Sequence, residues 1–215
     1  MRIIAGQWRG RNIQAPPGDN TRPILDRVKT VLFDVLGSRL ASPGRLPALA
    51  VLDLFAGGGT LGLESLSRGA GYCLFVEQNR ASAETLRKNL DALEIIREAD
   101  VVQADAATCD WPAARPSEGE FANQYGLVFL DPPYRLLAGD RPDRLIGNIL
   151  RRLATSPVIA ADAWIVVRHE IQASGGPDLS PLVERERRDV GTMTLRFLSP
   201  FSSAAQPGQR AEGEG

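Results

Sequence analysis

Leu49-Ala50-Val51-Leu52-Asp53-Leu54-Phe55-Ala56-Gly57-Gly58-Gly59-Thr60-Leu61-Gly62 passes without a break from an apolar segment into a cluster of glycines. Its first six residues read as a buried strand, because only Asp53 interrupts an aliphatic run of strand length. The glycines let a ligand approach the backbone where a Cβ would collide. The helix that opens at 60 and runs through 68 adds unpaired N–H donors at its start. A second strand over 72–76 follows and ends in Glu77, whose carboxylate is suited to the hydroxyls of a ribose diol.

The pattern repeats downstream. Helical periodicity over 79–93 leads to a strand at 100–103, followed by Ala104-Asp105-Ala106. Residues 112–124 are polar and contain Pro, Ser and Gly, as in a surface loop. A fourth strand at 127–130 ends in Asp131-Pro132-Pro133-Tyr134. A helix at 144–153, a strand at 163–167 and strand-like runs at 184–190 and 192–198 complete the series. Strands alternating with helices predict an α/β fold, a parallel sheet with helices on both faces. Asp53, Glu77, Asp105 and Asp131 then stand at four successive strand ends, along the edge where such sheets bind ligands.

Asp131-Pro132-Pro133-Tyr134 carries the chemistry. The two prolines fix φ and lack an amide hydrogen, so the backbone leaving the strand is stiff and the Asp131 and Pro132 carbonyls are held in place. With the flat ring of Tyr134, a carboxylate and a carbonyl suit a planar group that bears an NH2, such as a nucleobase. Asp and Pro are also common turn residues, so these four alone equally allow a strand that ends in a turn.

Gly57-x-Gly59-x-x-Gly62 with Glu77 also matches the dinucleotide fingerprint of nicotinamide-dependent oxidoreductases. Asp53 inside the strand-loop signature and the Pro-Pro-Tyr motif argue against that reading. S-adenosylmethionine suits four acids better, with its amino-acid head, ribose, adenine and cationic sulfonium.

The N-terminal part is different in character. Residues 1–39 carry seven Arg and Lys against three Asp, so a basic arm precedes a body of net charge −5 in a chain of −1 overall. Such an arm fits phosphate contact through one face. Strand-like runs at 2–6 and 11–15 flank Gln7-Trp8-Arg9-Gly10 and predict a β-hairpin with Trp8 near its tip. There Trp8 either stacks on bases beside arginines or packs the hairpin onto the body. A loop at 16–20 precedes a helix from 23, whose apolar face recurs through Leu36 until Gly37 ends it. The expected organisation is an extension over 1–45, a main domain over 46–198, and a disordered tail over 199–215.

At 215 residues and 43% hydrophobic content, one domain is expected. The apolar runs fall far short of the ~20 residues that cross a bilayer, and no secretory leader is visible, which predicts a cytoplasmic protein. Cys73 and Cys109 have no metal-ligand spacing; both read as reduced, and no metal is expected.

These motifs together resemble the RsmD family, bacterial methyltransferases that modify the N2 of a guanine in 16S ribosomal RNA. The resemblance lies in Arg2-Ile3-Ile4-Ala5-Gly6-Gln7-Trp8-Arg9-Gly10-Arg11, Arg22-Pro23, Asp26-Arg27-Val28, Leu32-Phe33, Asp53-Leu54-Phe55-Ala56-Gly57 and Asp131-Pro132-Pro133-Tyr134. Ile24, Lys29 and Gly58 depart from its threonine, arginine and serine. The resemblance implies a Rossmann-like S-adenosylmethionine-dependent methyltransferase sheet with an N-terminal hairpin and helix extension. It also implies cofactor contacts from Asp53, Phe55, Ala56, Gly57 and Gly59, with Glu77 at the ribose and Asp105 and Ala106 at the adenine; apart from the resemblance, the proline and glycine content of the loop before the first helix suggests Arg22 and Pro23 as a lid over the cofactor. Asp131, Pro132 and Tyr134 would orient and stack the target base, and Trp8, Arg9, Arg11 and Arg27 would bind RNA. The expected partner is 16S rRNA, alone or in a small ribosomal subunit, approached by a monomer. Removing residues 1–20 is expected to weaken RNA binding and spare cofactor binding. Rival readings are a DNA adenine-N6 methyltransferase, a protein-glutamine methyltransferase and a non-catalytic RNA-binding assembly factor. His169, the only histidine, reads as structural.

Overall fold

The computed structural model describes residues 1–17, 24–40, 42–115, 123–138, 142–172 and 175–200. After the arm come α1 (Asp26–Arg39), β1 (Ala50–Leu54), α2 (Thr60–Ser67), β2 (Tyr72–Val76), α3 (Arg80–Ala92) and β3 (Ala99–Val102). The second half consists of β4 (Tyr125–Leu130), a single 3-10 turn at Tyr134–Leu136, α4 (Arg144–Thr155), β5 (Ile159–Glu170), β6 (Val183–Val190) and β7 (Met193–Ser199). The strands form one seven-stranded sheet in the order β3-β2-β1-β4-β5-β7-β6. β1 to β5 run parallel, and β7 is antiparallel to both β5 and β6.

β1, β2 and β4 are buried along their whole lengths, which is why they read as unbroken apolar runs and not as alternating ones. One apolar layer joins the arm, α1, α2 and α3 to one sheet face, and a second joins α4 to the other. The strand order reverses at β1, with β2 on one side and β4 on the other. The carboxyl ends of β1 and β4 therefore open a crevice, the position at which sheets of this kind bind ligands.

The arm is part of the core. Ile3 and Ile13 are buried in it, joined across a short antiparallel bridge between Arg2 and Asn12. The Ile3 and Ile13 amides donate to the carbonyls of Arg11 and Met1 at 3.0 and 2.9 Å. Beyond that bridge the segment is made of turns, so the expected hairpin is present in a reduced form. Trp8 is half-buried against the same layer, and its amide donates to the Ser67 hydroxyl at 3.1 Å. Trp8 thus packs the arm onto the body while remaining half-exposed.

Glu64, fully buried on α2, fastens this arrangement. Its carboxylate accepts the amides of Ile4 and Ala5 at 2.9 and 3.0 Å and the Arg68 Nε at 2.9 Å, with Lys29 Nζ 3.7 Å away. A buried carboxylate is tolerated only with such partners.

Three expectations change. Gly37 does not end α1 but lies inside it, buried, where a Cβ would stand 2.8 Å from the Gly44 amide nitrogen. It is glycine because the 42–44 segment crosses the helix there. β5 is 12 residues long, beginning at Ile159 and continuing through His169. Its exposed Ala161 and Asp162 hid the first part from the apolar pattern. Finally, Ser199 belongs to β7, and the rest of the predicted tail from 201 onward lies outside the described residues, as do 116–122 of the polar loop.

Candidate active site at the carboxyl ends of the strands

β1 carries Asp53 into the crevice. Its side chain is 2% exposed, and one carboxylate oxygen accepts the Gly62 amide at 3.0 Å. Burial pushes the Asp53 carboxyl up to about 8; the Gly62 hydrogen bond pulls it down, and the charges of Asp131 and Glu77 raise it further. The acids at the ends of β1, β2 and β4 thus share one electrostatic environment.

The glycine loop then turns through Phe55, Gly57 and Gly59, all at positive φ, into α2. Glu77 braces it: one carboxylate oxygen accepts the Gly57 amide at 2.7 Å and the other the Asn79 amide at 2.6 Å. Each oxygen retains lone-pair capacity for a hydroxyl. A Cβ on Gly57 would meet only Pro16 Cγ, at 3.9 Å, so the backbone is open at Gly57, whereas at Gly58 and Gly59 a Cβ would stand 3.1 Å from the Gln14 carbonyl oxygen and 2.3 Å from Leu86 Cδ1. Ala56 is buried beneath it, and its amide donates to the Val76 carbonyl at 3.1 Å.

After β3 the chain folds into a tight turn on Asp105. The Asp105 carboxylate accepts the Ala107 amide at 2.8 Å, and its carbonyl accepts those of Thr108 and Cys109. Ala106 is buried. Arg152 of α4 fixes this turn from outside, donating to the carbonyls of Ala106, Ala107 and Cys109 at 3.1, 2.9 and 2.7 Å. Its guanidinium also lies over the Trp111 ring, 3.9 Å from the centroid.

Asp131 follows β4 directly. β4 and β5 run in register with Leu130 beside Val167, so the next residues, Asp131 and Arg168, stand side by side on one face. Arg168 forms a bidentate pair with Asp131, Nε to Oδ1 at 2.9 Å and Nη2 to Oδ2 at 2.8 Å. Burial works to lower the Arg168 pKa, but the adjacent carboxylate and its hydrogen bonds outweigh it and the net shift is upward. The same guanidinium lies over the Tyr134 ring at 5.6 Å. Beside Tyr134, a cavity of about 420 Å³ opens between the segment after β4 and the end of β5.

The sheet thus brings Asp53, Phe55, Ala56, Gly57, Gly59, Glu77, Asp105, Ala106, Asp131, Pro132 and Tyr134 to its carboxyl edge. Arg22 and Pro23 lie outside the described residues. Arg9, Arg11 and Arg27 are exposed on the arm and α1, and Arg11 donates to the Ala92 carbonyl at 2.8 Å. His169 sits within β5, buried, with Nδ1 2.7 Å from the Glu170 carbonyl and its ring against Gly176. Burial lowers its pKa, as befits a packed neutral ring. Cys73 and Cys109 are both free thiols. Arg168 and Arg152 were not singled out by the sequence.

The donor set fits S-adenosylmethionine. A buried acid with two further acids near it favours a cationic ligand, Glu77 suits a diol, and the open Gly57 backbone admits close approach. Fold and site define a Rossmann-like methyltransferase of the S-adenosylmethionine-dependent class. The chain belongs to the RsmD family: the family model described as Conserved hypothetical protein 95 matches residues 1–199. It is 34% identical to Ribosomal RNA small subunit methyltransferase D of Escherichia coli, over 80% of this chain and 76% of that one. It is 32% identical to YlbH of Bacillus subtilis, over 89% and 94%. The solved structure of the Escherichia coli protein yhhF superposes with a TM-score of 0.72 at 31% identity, covering 93% of this chain and 97% of that one.

Proposed function

We propose that this protein transfers a methyl group from S-adenosylmethionine to the exocyclic N2 of a guanine in 16S ribosomal RNA. The observation that carries the reading is Asp131, held at the carboxyl end of β4 by Arg168, whose guanidinium also lies over the Tyr134 ring, and close enough to Asp53 for the two acids to interact. The small-subunit rRNA named for the Escherichia coli relative supports the substrate class.

S-adenosylmethionine supplies an electrophilic methyl on a sulfonium. Asp53, Phe55, Ala56, Gly57 and Gly59 would hold its amino-acid end, Glu77 its ribose, and Asp105 with Ala106 its adenine. The guanine amine is a weak nucleophile because its lone pair is delocalised into the ring. Hydrogen bonds from that NH2 to the Asp131 carboxylate and the Pro132 carbonyl return density to nitrogen and aim the lone pair at the methyl carbon. Orientation of this kind supplies a large part of a rate. The N–C bond would form as the methyl–sulfur bond breaks and leaves a neutral thioether, and the proton would then pass from the cationic nitrogen to water, so no strong base is required. Tyr134 would stack on the base, which has to leave its own stack to enter. Trp8, Arg9, Arg11 and Arg27 would contact the RNA, whose phosphates attract exposed arginines. A cytoplasmic location goes with an rRNA substrate, and no described helix is long and apolar enough to cross a membrane.

Mass mapping of methylated nucleosides in small-subunit RNA, from cells with and without the gene, tests the reading. Loss of one N2-methylguanine is the expected result. Unchanged rRNA with loss of N6-methyladenine from DNA, or no loss anywhere, would overturn it.

A further inference from the structure

We propose that Arg168 is a positioning residue for methyl transfer, holding both Asp131 and Tyr134 in the orientation the target amine requires. The inference rests on the role given to Asp131 above. An unrestrained aspartate rotates about its terminal torsion, so its oxygens have no fixed direction. The Arg168 fork removes that freedom, with one nitrogen on each oxygen at 2.9 and 2.8 Å. A carboxylate has about four lone-pair directions, and the fork occupies two. One acceptor direction per oxygen therefore remains for an NH2.

The pair is largely buried, with side-chain exposures of 10% for Arg168 and 17% for Asp131. Stability alone does not call for it, since a buried ion pair is often no better than apolar residues of the same volume. Its value lies in geometry. The guanidinium that pins Asp131 also lies over Tyr134 at 5.6 Å, so a single planar group sets the acceptor and the stacking ring relative to each other. Lysine, a point charge on a flexible stem, cannot do both.

The test measures single-turnover methylation of unmodified small ribosomal subunits by Arg168→Met and Arg168→Lys, at saturating cofactor and substrate. Cofactor affinity by calorimetry and thermal midpoint by circular dichroism accompany it. The expected result is a rate loss of roughly 100-fold in Arg168→Met, with cofactor affinity unchanged, and a loss in Arg168→Lys as well. Arg168→Lys keeps the charge, so it carries the test if Arg168→Met fails to fold. On an Asp131→Asn background, Arg168→Met should cost little more. Full rates in both Arg168 variants, or losses that simply multiply in the double variant, would overturn the inference. Asp131→Ala separates the two levels: if it is active, the role of Asp131 fails; if it is inactive while Arg168→Met is fully active, only the positioning role fails.

Discussion

Asn89 on α3 is hydrogen-bonded to Gln14 of the arm in both directions, accepting its amide at 2.8 Å and donating to its carbonyl at 3.0 Å. The same side-chain amide donates to the Gly58 carbonyl at 2.9 Å. The Gln14 carbonyl and Pro16 Cδ would both stand 3.1 Å from a Cβ on Gly58. One buried amide thus ties the N-terminal segment to the glycine loop, and truncation over 1–20 no longer has reason to spare cofactor binding. Asn89→Ala is expected to lose about 2–3 kcal/mol of stability, from several buried hydrogen bonds, and to weaken S-adenosylmethionine binding. Urea unfolding and calorimetry measure the two effects; unchanged cofactor affinity would refute the coupling.

Glu64 is the second tie, and it is electrostatic. Substituting Gln removes the charge that faces Arg68 and Lys29, both almost fully buried. Breaking such a group by deleting one partner costs roughly 3–5 kcal/mol. Glu64→Gln is therefore expected to unfold at clearly lower denaturant, whereas Arg80→Ala, which removes an exposed pair with Glu84, should shift the midpoint little. Equal effects of the two variants would count against the buried hub.

Asp53 makes cofactor affinity depend on pH. With its carboxyl pushed up to about 8, chiefly by burial, the group is mostly neutral at pH 7 in the free protein. The cationic ammonium and sulfonium of the cofactor favour the charged form, so binding should release a proton. Affinity is expected to rise between pH 6 and 8, by at most about tenfold per unit, and to level off above. The cofactor's own α-amino group titrates nearby, so the quantity to measure is the ratio of affinities between the unmodified protein and Asp53→Asn. A ratio constant across that range would remove Asp53 from the cofactor site.

What the sequence disclosed follows from range. The strands β1, β2 and β4 and the acids after them were legible because each depends on its own run of residues and on the period of its neighbours. Arg168 depends on the register between β4 and β5, and Arg152 on the docking of α4 against the turn after β3. Neither relation is written in any local stretch. Gly37 was misread for a related reason. A glycine within an apolar helical pattern looks like a stop, and only the crossing segment at 42–44 shows it to be a point of close approach.

Arg152 offers a way to separate binding from chemistry. Its guanidinium holds the turn that follows β3 through three carbonyls and lies over the Trp111 ring, and this turn includes Asp105 and Ala106. Arg152→Met keeps much of the apolar stem but loses the donors, so the turn should loosen while Asp131 and Arg168 are undisturbed. If Asp105 and Ala106 hold the adenine, cofactor affinity falls about tenfold, which corresponds to roughly 1.4 kcal/mol. The methylation rate at saturating cofactor should stay within about twofold, because the binding lost is equal in the ground and transition states. Steady-state kinetics against cofactor concentration give both numbers. A reduced rate at saturation with unaltered affinity would mean that the turn acts on the acceptor side of the crevice and not on the adenine.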